Sequence, residues 1–163
     1  MTGCLDPKTS LPAGAIQETI HALVPALSSL LTRITNVEAT VSQSEEFGVR
    51  LASPLTFPDG IGEGAAVAEL FRYRDKVRLD IHVEHNRFFA LADGGPSERR
   101  CFLNDYVASV TIDVGATTVP TEFVRNVVSG VAAARDAVRR HNSRAQAPWN
   151  EIRVSALVAE VVA

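Results

Sequence analysis

The sequence predicts an α+β fold: an antiparallel β-meander of about five strands packed by two long helices. Three observations lead to this class: an apolar stripe at helical spacing near the start, a middle section in which apolar residues recur at every second position, and a second helical stripe that begins near residue 118. Because the predicted strands follow one another without intervening helices, we expect an antiparallel sheet rather than a doubly wound one.

The first helix is predicted to follow a short arm. Residues 1–10 are polar and contain Gly3 and Pro7, so we expect a flexible arm before a single domain over residues 11–163. Ser10 and Pro12 are typical of a helix start. Pro25 lies inside the helix and, because proline lacks an N–H, is expected to kink or split it. The apolar stripe consists of Ile16, Ile20, Leu23, Leu27, Leu30, Leu31 and Ile34.

The strands are predicted from alternation. Residues 37–42 and 46–51 indicate a hairpin with one buried face, and residues 53–64, with two prolines and three glycines, indicate a loop. Further strands are expected over 66–73 and 77–83, joined by a turn at 74–76. The chain is then expected to turn at 85–87 and return over 88–92. The strand over 77–83 has the cleanest alternation, with Val77, Leu79, Ile81 and Val83 on one face.

The last third of the chain is predicted to contain both kinds of element. Residues 96–106 are read as a short helix, 110–114 as a short strand and 118–140 as a second long helix with Pro120 in its first turn. Gly130 in the middle of that helix indicates close packing or a weak point. A strand over 151–155 and a short helix are expected after it. The apolar face of the long helix consists of Phe123, Val127, Val131, Ala134 and Val138.

The candidate binding residues lie on the polar face of the strand over 77–83. Arg78, Asp80, His82 and Glu84 alternate with its apolar residues, so all four share one side of the sheet. Histidine and carboxylates are zinc-type ligands, which makes a metal-dependent hydrolase or nuclease an alternative. The helical zinc motif requires two histidines four positions apart on a helix. His82 and His85 are three positions apart, and the segment is predicted to be a strand. A charged surface that meets a partner is therefore preferred, and no metal is predicted.

Composition and motifs argue against several classes of function for this chain. The glycine-rich stretch at 59–64 lacks the lysine of a phosphate loop, and Ala65 stands where a dinucleotide fingerprint needs its third glycine, so no cofactor is predicted. A net charge of −3 argues against nucleic acid as the partner. The two cysteines fit a cytoplasmic location, and the apolar stretches are too short to indicate a membrane span. A nucleic-acid-binding regulator that uses Arg135, Arg139, Arg140 and Arg144 stays as an alternative.

Three short motifs carry a resemblance to a known family. They are Ser53-Pro54-Leu55, the strand Leu79-Asp80-Ile81-His82-Val83, and Phe89-Ala90-Leu91-Ala92-Asp93-Gly94. Together with a helix after the Asp-Gly turn and a later long helix, residues 49–141 resemble a domain family of unknown function found in phages and mobile elements. The glycine-rich insertion and the N-terminal helix depart from that pattern. The resemblance implies a phage- or defence-associated protein and assigns no activity.

The function expected from the sequence is that of a non-enzymatic protein-binding module. No catalytic motif stands out, whereas a charged sheet face and a basic helix end are available for a protein partner. An inhibitor of the anti-defence or immunity type is the preferred member of this class. A secretion-chaperone-like dimer with an apolar groove is the alternative, and the apolar residues 156–162 could close a homodimer.

Overall fold

The computed structural model describes residues 13–44, 48–55, 64–90 and 98–145. In chain order the elements are α1 (Ala13–Thr35), β1 (Thr40–Ser44), β2 (Gly48–Leu55), β3 (Gly64–Tyr73), β4 (Lys76–Ala90), β5 (Glu98–Ile112) and α2 (Thr121–Ala145). The strands form one antiparallel sheet in the order β1-β2-β3-β4-β5. The predicted α+β meander with two long helices is confirmed. The predicted arm over 1–10 and the elements predicted after 145 lie outside the described residues.

The first helix is continuous through its proline. Pro25 is exposed within α1, so the predicted split of the helix is wrong, whereas the predicted kink stays a prediction. Leu23 and Leu27, on either side of the proline, are fully buried, so the core holds both flanking turns in helical register. The helix ends at Thr35, and the next residue, Asn36, has a left-handed φ of 59° and an N–H that donates to the Thr32 carbonyl.

The first hairpin forms where it was expected, although its edges differ. β2 continues through Leu55, so the loop predicted from residue 53 starts too early. Pro54 lies beyond Ala52, the last β2 residue that pairs with β1, and strand prolines occur at such edge positions. Val41 in β1 is 50% exposed, so the expected buried face of this strand is wrong. The physical reason is that β1 is the outer strand of the sheet and α1 packs on β2 and β3.

The second hairpin is the main correction to the predicted fold. β4 continues through residues 85–90, and β5 pairs with it along its whole length. The predicted turn at 85–87, the return strand over 88–92 and the helix over 96–106 are therefore wrong, and the strand predicted over 110–114 is the end of β5. A bulge explains why β5 was not recognised as one strand: Ile81 pairs with Ala108 and His82 with Tyr106, which leaves Val107 as an extra residue. The extra residue reverses the alternation of β5, so the period-two pattern is broken.

Both helices cover the same face of the sheet. α1 packs mainly on β2 and β3, α2 packs on β4 and β5, and residues from both helices join one core with the buried face of β4. The predicted apolar face of α2 is confirmed, with Phe123, Val127, Val131 and Val138 buried. Neither described helix has an apolar run that could cross a membrane.

Close packing at Gly130 is also confirmed. A β-carbon at this position would lie 2.6 Å from Cγ1 of Val107, the bulge residue. Real β-carbons essentially never come so close to another carbon. The glycine therefore lets α2 approach the sheet at the point where β5 pushes a valine towards the helix.

Candidate functional site

The four candidate residues of β4 lie together on the sheet face opposite the helices. Arg78, Asp80, His82 and Glu84 occupy alternate positions of β4, as the pattern predicted. Strand pairing adds further polar groups to this outer face: Glu69 lies opposite Asp80 on one side, and Ser109 lies opposite it on the other. The side chain of Glu84 is only 16% exposed, so this face is not a fully solvated surface.

Arg50 connects three strands on the outer face. From β2, its Nη1 lies 3.1 Å from Oε1 of Glu69 on β3, and its Nη2 lies 2.5 Å from Oε1 of Glu84 on β4. Val67 occupies the same face of β3, between Ala52 and His82, and is fully buried. The guanidinium of Arg50 therefore joins β2, β3 and β4 through two ion pairs.

The contact between Arg50 and Glu84 stabilises the ionised form of the Glu84 carboxylate. Burial alone would raise the pKa of Glu84, but hydrogen bonds from Arg50 and His82 outweigh it and lower the pKa below its ordinary value. His82 Nε2 lies 3.3 Å from the same carboxylate oxygen. The hydrogen bond to Glu84 is likewise the main reason that the pKa of Arg50 is raised.

The remaining candidate residues pair with each other. Arg78 Nε lies 3.0 Å from Oδ1 of Asp80, and the Ser109 hydroxyl donates to the same oxygen at 2.6 Å. The Arg78 guanidinium also lies over the Tyr73 ring, 5.4 Å from its centre. Charges on this face are thus largely satisfied by neighbouring side chains, and a partner would have to compete with those contacts.

The hydrolase alternative receives no geometric support from the described part of the chain. Within it, no group of three or more His, Cys, Asp or Glu side chains is arranged to hold a metal ion. The carboxylates of Asp80 and Glu84 instead accept hydrogen bonds from Arg78 and Arg50. A cation at either carboxylate would have to displace a guanidinium.

A groove lies between the two helices on the helical side of the sheet. The helices diverge enough to touch each other little, and the space between them has a volume of about 670 Å³. Val128 is 48% exposed on its wall, and Leu55 of β2 is buried at its floor. The apolar lining consists of Leu30, Ile34, Leu55, Val124, Val128, Val131 and Ala132.

The polar lining of this groove is mostly basic. Arg33 comes from α1, and Arg135, Asp136 and Arg139 come from α2. Arg139 Nη2 lies 3.8 Å from Oδ1 of Asp136. In the ranges that the structure describes, Arg33 and Arg135 take part in no ion pair. The groove therefore combines an apolar floor with two arginines available for a partner.

Sequence reasoning missed the groove although a signal for it was present. Val124 and Val128 stand one position after the core residues Phe123 and Val127, so the apolar stripe of α2 is wider than contact with one sheet requires. The basic positions Arg135 and Arg139 continue the same row towards the end of the helix. A wide stripe that ends in arginines predicts a second contact surface on α2.

A buried histidine was also missed. His85, expected in a turn, is fully buried in β4, and its Nε2 lies 2.9 Å from Oδ2 of Asp105 on β5. The bulge at Val107 brings Asp105 opposite Val83 on the helix-covered face. The His85 side chain is fully buried, and that of Asp105 is 35% exposed.

Comparisons with known proteins were made for the whole chain. No protein-family model, no curated protein and no solved structure matches it.

Proposed function

We propose that this chain is a non-enzymatic protein-binding module whose partner lies in the groove between α1 and α2. The observation that carries this proposal is the open apolar space between the helices, with Val128 left 48% exposed. A valine in this position gains about 1 kcal/mol or more when a partner removes it from water. An apolar surface flanked by charged groups is typical of protein-interaction sites.

The groove supports the proposal better than the outer face does. Arg78, Asp80 and Glu84 already have partners of opposite charge, and breaking such contacts costs a binding partner part of its gain. The groove, in contrast, presents apolar surface together with Arg33 and Arg135, which have no ion-pair partner in the described part of the chain. Contact through the face of Arg78, Asp80, His82 and Glu84 stays a prediction.

Within this class, we propose an inhibitor associated with phages or defence systems, of the anti-defence or immunity type. Its support is the resemblance carried by Ser53-Pro54-Leu55 and by residues 79–83, which lie in β2 and β4. The helix that the resemblance implies after the Asp-Gly turn is not present over 98–106, because β5 occupies these residues. A cytoplasmic location belongs to the same proposal.

A secretion-chaperone-like protein is the second candidate, because an apolar groove is the feature that this alternative requires. Its other requirement is a stable homodimer. Light scattering on the purified chain separates the candidates: a dimer at micromolar concentration favours the chaperone, and a monomer favours the inhibitor.

The experiment that tests the binding proposal places a photo-crosslinking amino acid at Val128, with Tyr106 on the outer face as the matched position. Tyr106 is 62% exposed, so both positions are accessible. We expect one protein to be crosslinked from the host lysate at Val128 and none at Tyr106. That protein, once purified, should bind the unlabelled chain in calorimetry, and Val128→Asp should abolish the binding. Equal crosslinking at both positions, or binding that Val128→Asp leaves intact, would contradict the groove as the site.

A further inference from the structure

We infer that the groove receives an acidic amphipathic α-helix of the partner protein. This inference rests on the proposed function and specifies its partner. The sign of the charges in the groove gives the first reason. Three arginines and one aspartate line it, whereas the whole chain has a net charge of −3. The groove is therefore a local basic site on an acidic protein, and its complement is a surface that carries carboxylates.

The backbone requirements of the site indicate a helix rather than an extended segment. The groove has helices on both sides, and their backbone N–H and C=O groups are already bonded within α1 and α2. An extended segment in this space would bury its own backbone polar groups without partners, at a cost that proteins avoid. A helix satisfies its backbone internally and presents only side chains to the walls.

The length of the groove fits such a helix. On α2 the lining runs from Val124 to Arg139, which at 1.5 Å per residue is about 22 Å, or roughly four helical turns. The apolar residues lie towards the start of this run and the arginines towards its end. A partner helix with an apolar stripe at spacings of three and four would cover Leu30, Ile34 and Val128, and acidic residues beside the stripe would meet Arg33 and Arg135.

The test uses three synthetic peptides of about 16 residues, a length of roughly four turns. One has a leucine stripe at helical spacing flanked by glutamates, the second has lysines in place of the glutamates, and the third is the first with its order scrambled. Dissociation constants are measured on the full chain by fluorescence anisotropy at about 0.05 and 0.3 M salt. We expect the acidic peptide to bind at least about tenfold more tightly than the other two, and its binding to weaken at the higher salt concentration.

Variants assign this preference to the groove. Arg33→Ser combined with Arg135→Ser should weaken binding of the acidic peptide about tenfold, since two partly exposed charge contacts contribute about 1.4 kcal/mol together. Arg125→Ser combined with Arg140→Ser removes the same charge from exposed positions of α2 outside the groove and should leave binding unchanged. Circular dichroism of each variant checks that the fold is retained.

Several results would overturn the inference. If the lysine peptide binds as tightly as the acidic one while Val128→Asp abolishes both, the groove takes a helix regardless of charge, and only the proposed function stands. If decanoate binds the groove and neither ordered peptide does, the ligand is a small amphipathic anion. If the chain is a dimer that Val128→Asp dissociates, the occupant is a second copy. If no peptide binds at millimolar concentration, no acidic helix is recognised.

Discussion

At the scale of single residues, Arg50 shows how this sheet stabilises its outer face. Its guanidinium lies between Glu69 on β3 and Glu84 on β4. The side chain of Arg50 is 32% exposed. Because both carboxylates are less than half exposed, their contacts with the arginine are screened less than those of a fully solvated surface pair. Folding brings these charges together from positions up to 34 residues apart in the chain.

Glu84→Gln is expected to change the response of the protein to acid. The folded-state pKa of Glu84 lies below the ordinary value of 4.5, so its carboxylate contributes stability that is fully present above about pH 4.5 and is lost as the pH falls through the folded-state pKa. At pH 7 the variant should lose about 1–2 kcal/mol of unfolding free energy, since a hydrogen bond between charged groups becomes one with a neutral acceptor. Urea unfolding between pH 7 and pH 3 measures both effects.

The matched control for this prediction is Glu38→Gln. Glu38 is exposed, and within the described residues it has no ion-pair partner. Its replacement should change the unfolding free energy by less than about 0.5 kcal/mol at either pH. The difference between the Glu84 variant and the original chain should shrink towards low pH. A difference that stays constant from pH 7 to pH 3 would contradict a role for the ionised carboxylate.

At the scale of secondary-structure elements, the contact between α2 and β5 depends on two irregular positions. The bulge residue Val107 points at Gly130, and the absence of a side chain at that glycine allows the helix to lie close. Gly130→Ala should therefore lower the unfolding free energy by about 1 kcal/mol. The alanine gains about 1 kcal/mol of helix propensity, but overpacking against a stiff β-branched side chain costs about 1–3 kcal/mol.

Two comparisons isolate the steric cause. Gly14→Ala in α1 meets no atom within 4 Å and should stabilise the protein by about 0.5 kcal/mol, as expected for a glycine in a helix. In a Val107→Ala background, Gly130→Ala should also become stabilising, because the obstructing methyl group is gone. Chemical denaturation of the four variants provides the data. A stabilising Gly130→Ala in the original background would show that the helix moves away without cost.

At the scale of the whole molecule, helices cover one face of the sheet, and most of the fully buried sheet residues lie in the central strands. Val67, Leu70 and Val77 to Val83 at alternate positions are fully buried, whereas Val41 in the outer strand β1 is half exposed. Amide hydrogen exchange should therefore be slowest in β3 and β4 and at least about a hundredfold faster in β1, because local opening of an edge strand breaks fewer contacts.

Exchange of the denatured chain gives the intrinsic rates against which protection is measured. If β1 is protected as strongly as residues 77–83, a partner, such as a second copy of the chain, covers this edge strand. The same measurement with a bound helical peptide should slow exchange in α1 and α2 and leave β1 unchanged.

Local patterns predicted much of the fold. Three elements each have one apolar face that packs on the core, so the spacing of apolar residues is enough to predict them. They are the helix that contains Ile16 to Leu31, the strand over Val77 to Val83 and the helix that contains Phe123 to Val138. The polar hairpin over 85–106 was predicted wrongly because His85 resembles a turn residue and is instead buried beside Asp105. The carboxylate comes from another strand, and no local pattern contains it.

The sequence by itself determined the fold class, the two long helices and the face of β4 that carries Arg78, Asp80, His82 and Glu84, because these depend on the periodicity of neighbouring residues. Tertiary structure decided how those charges are used: Arg50 from β2 forms an ion pair with Glu84, and the Ser109 hydroxyl from β5 donates a hydrogen bond to Asp80. It also decided where apolar surface stays open, since the groove exists only because α1 and α2 lie apart on the sheet. How closely α2 approaches the sheet depends on residues such as Val107 and Gly130, which meet from distant parts of the chain, and the periodicity of neighbouring residues does not predict such contacts.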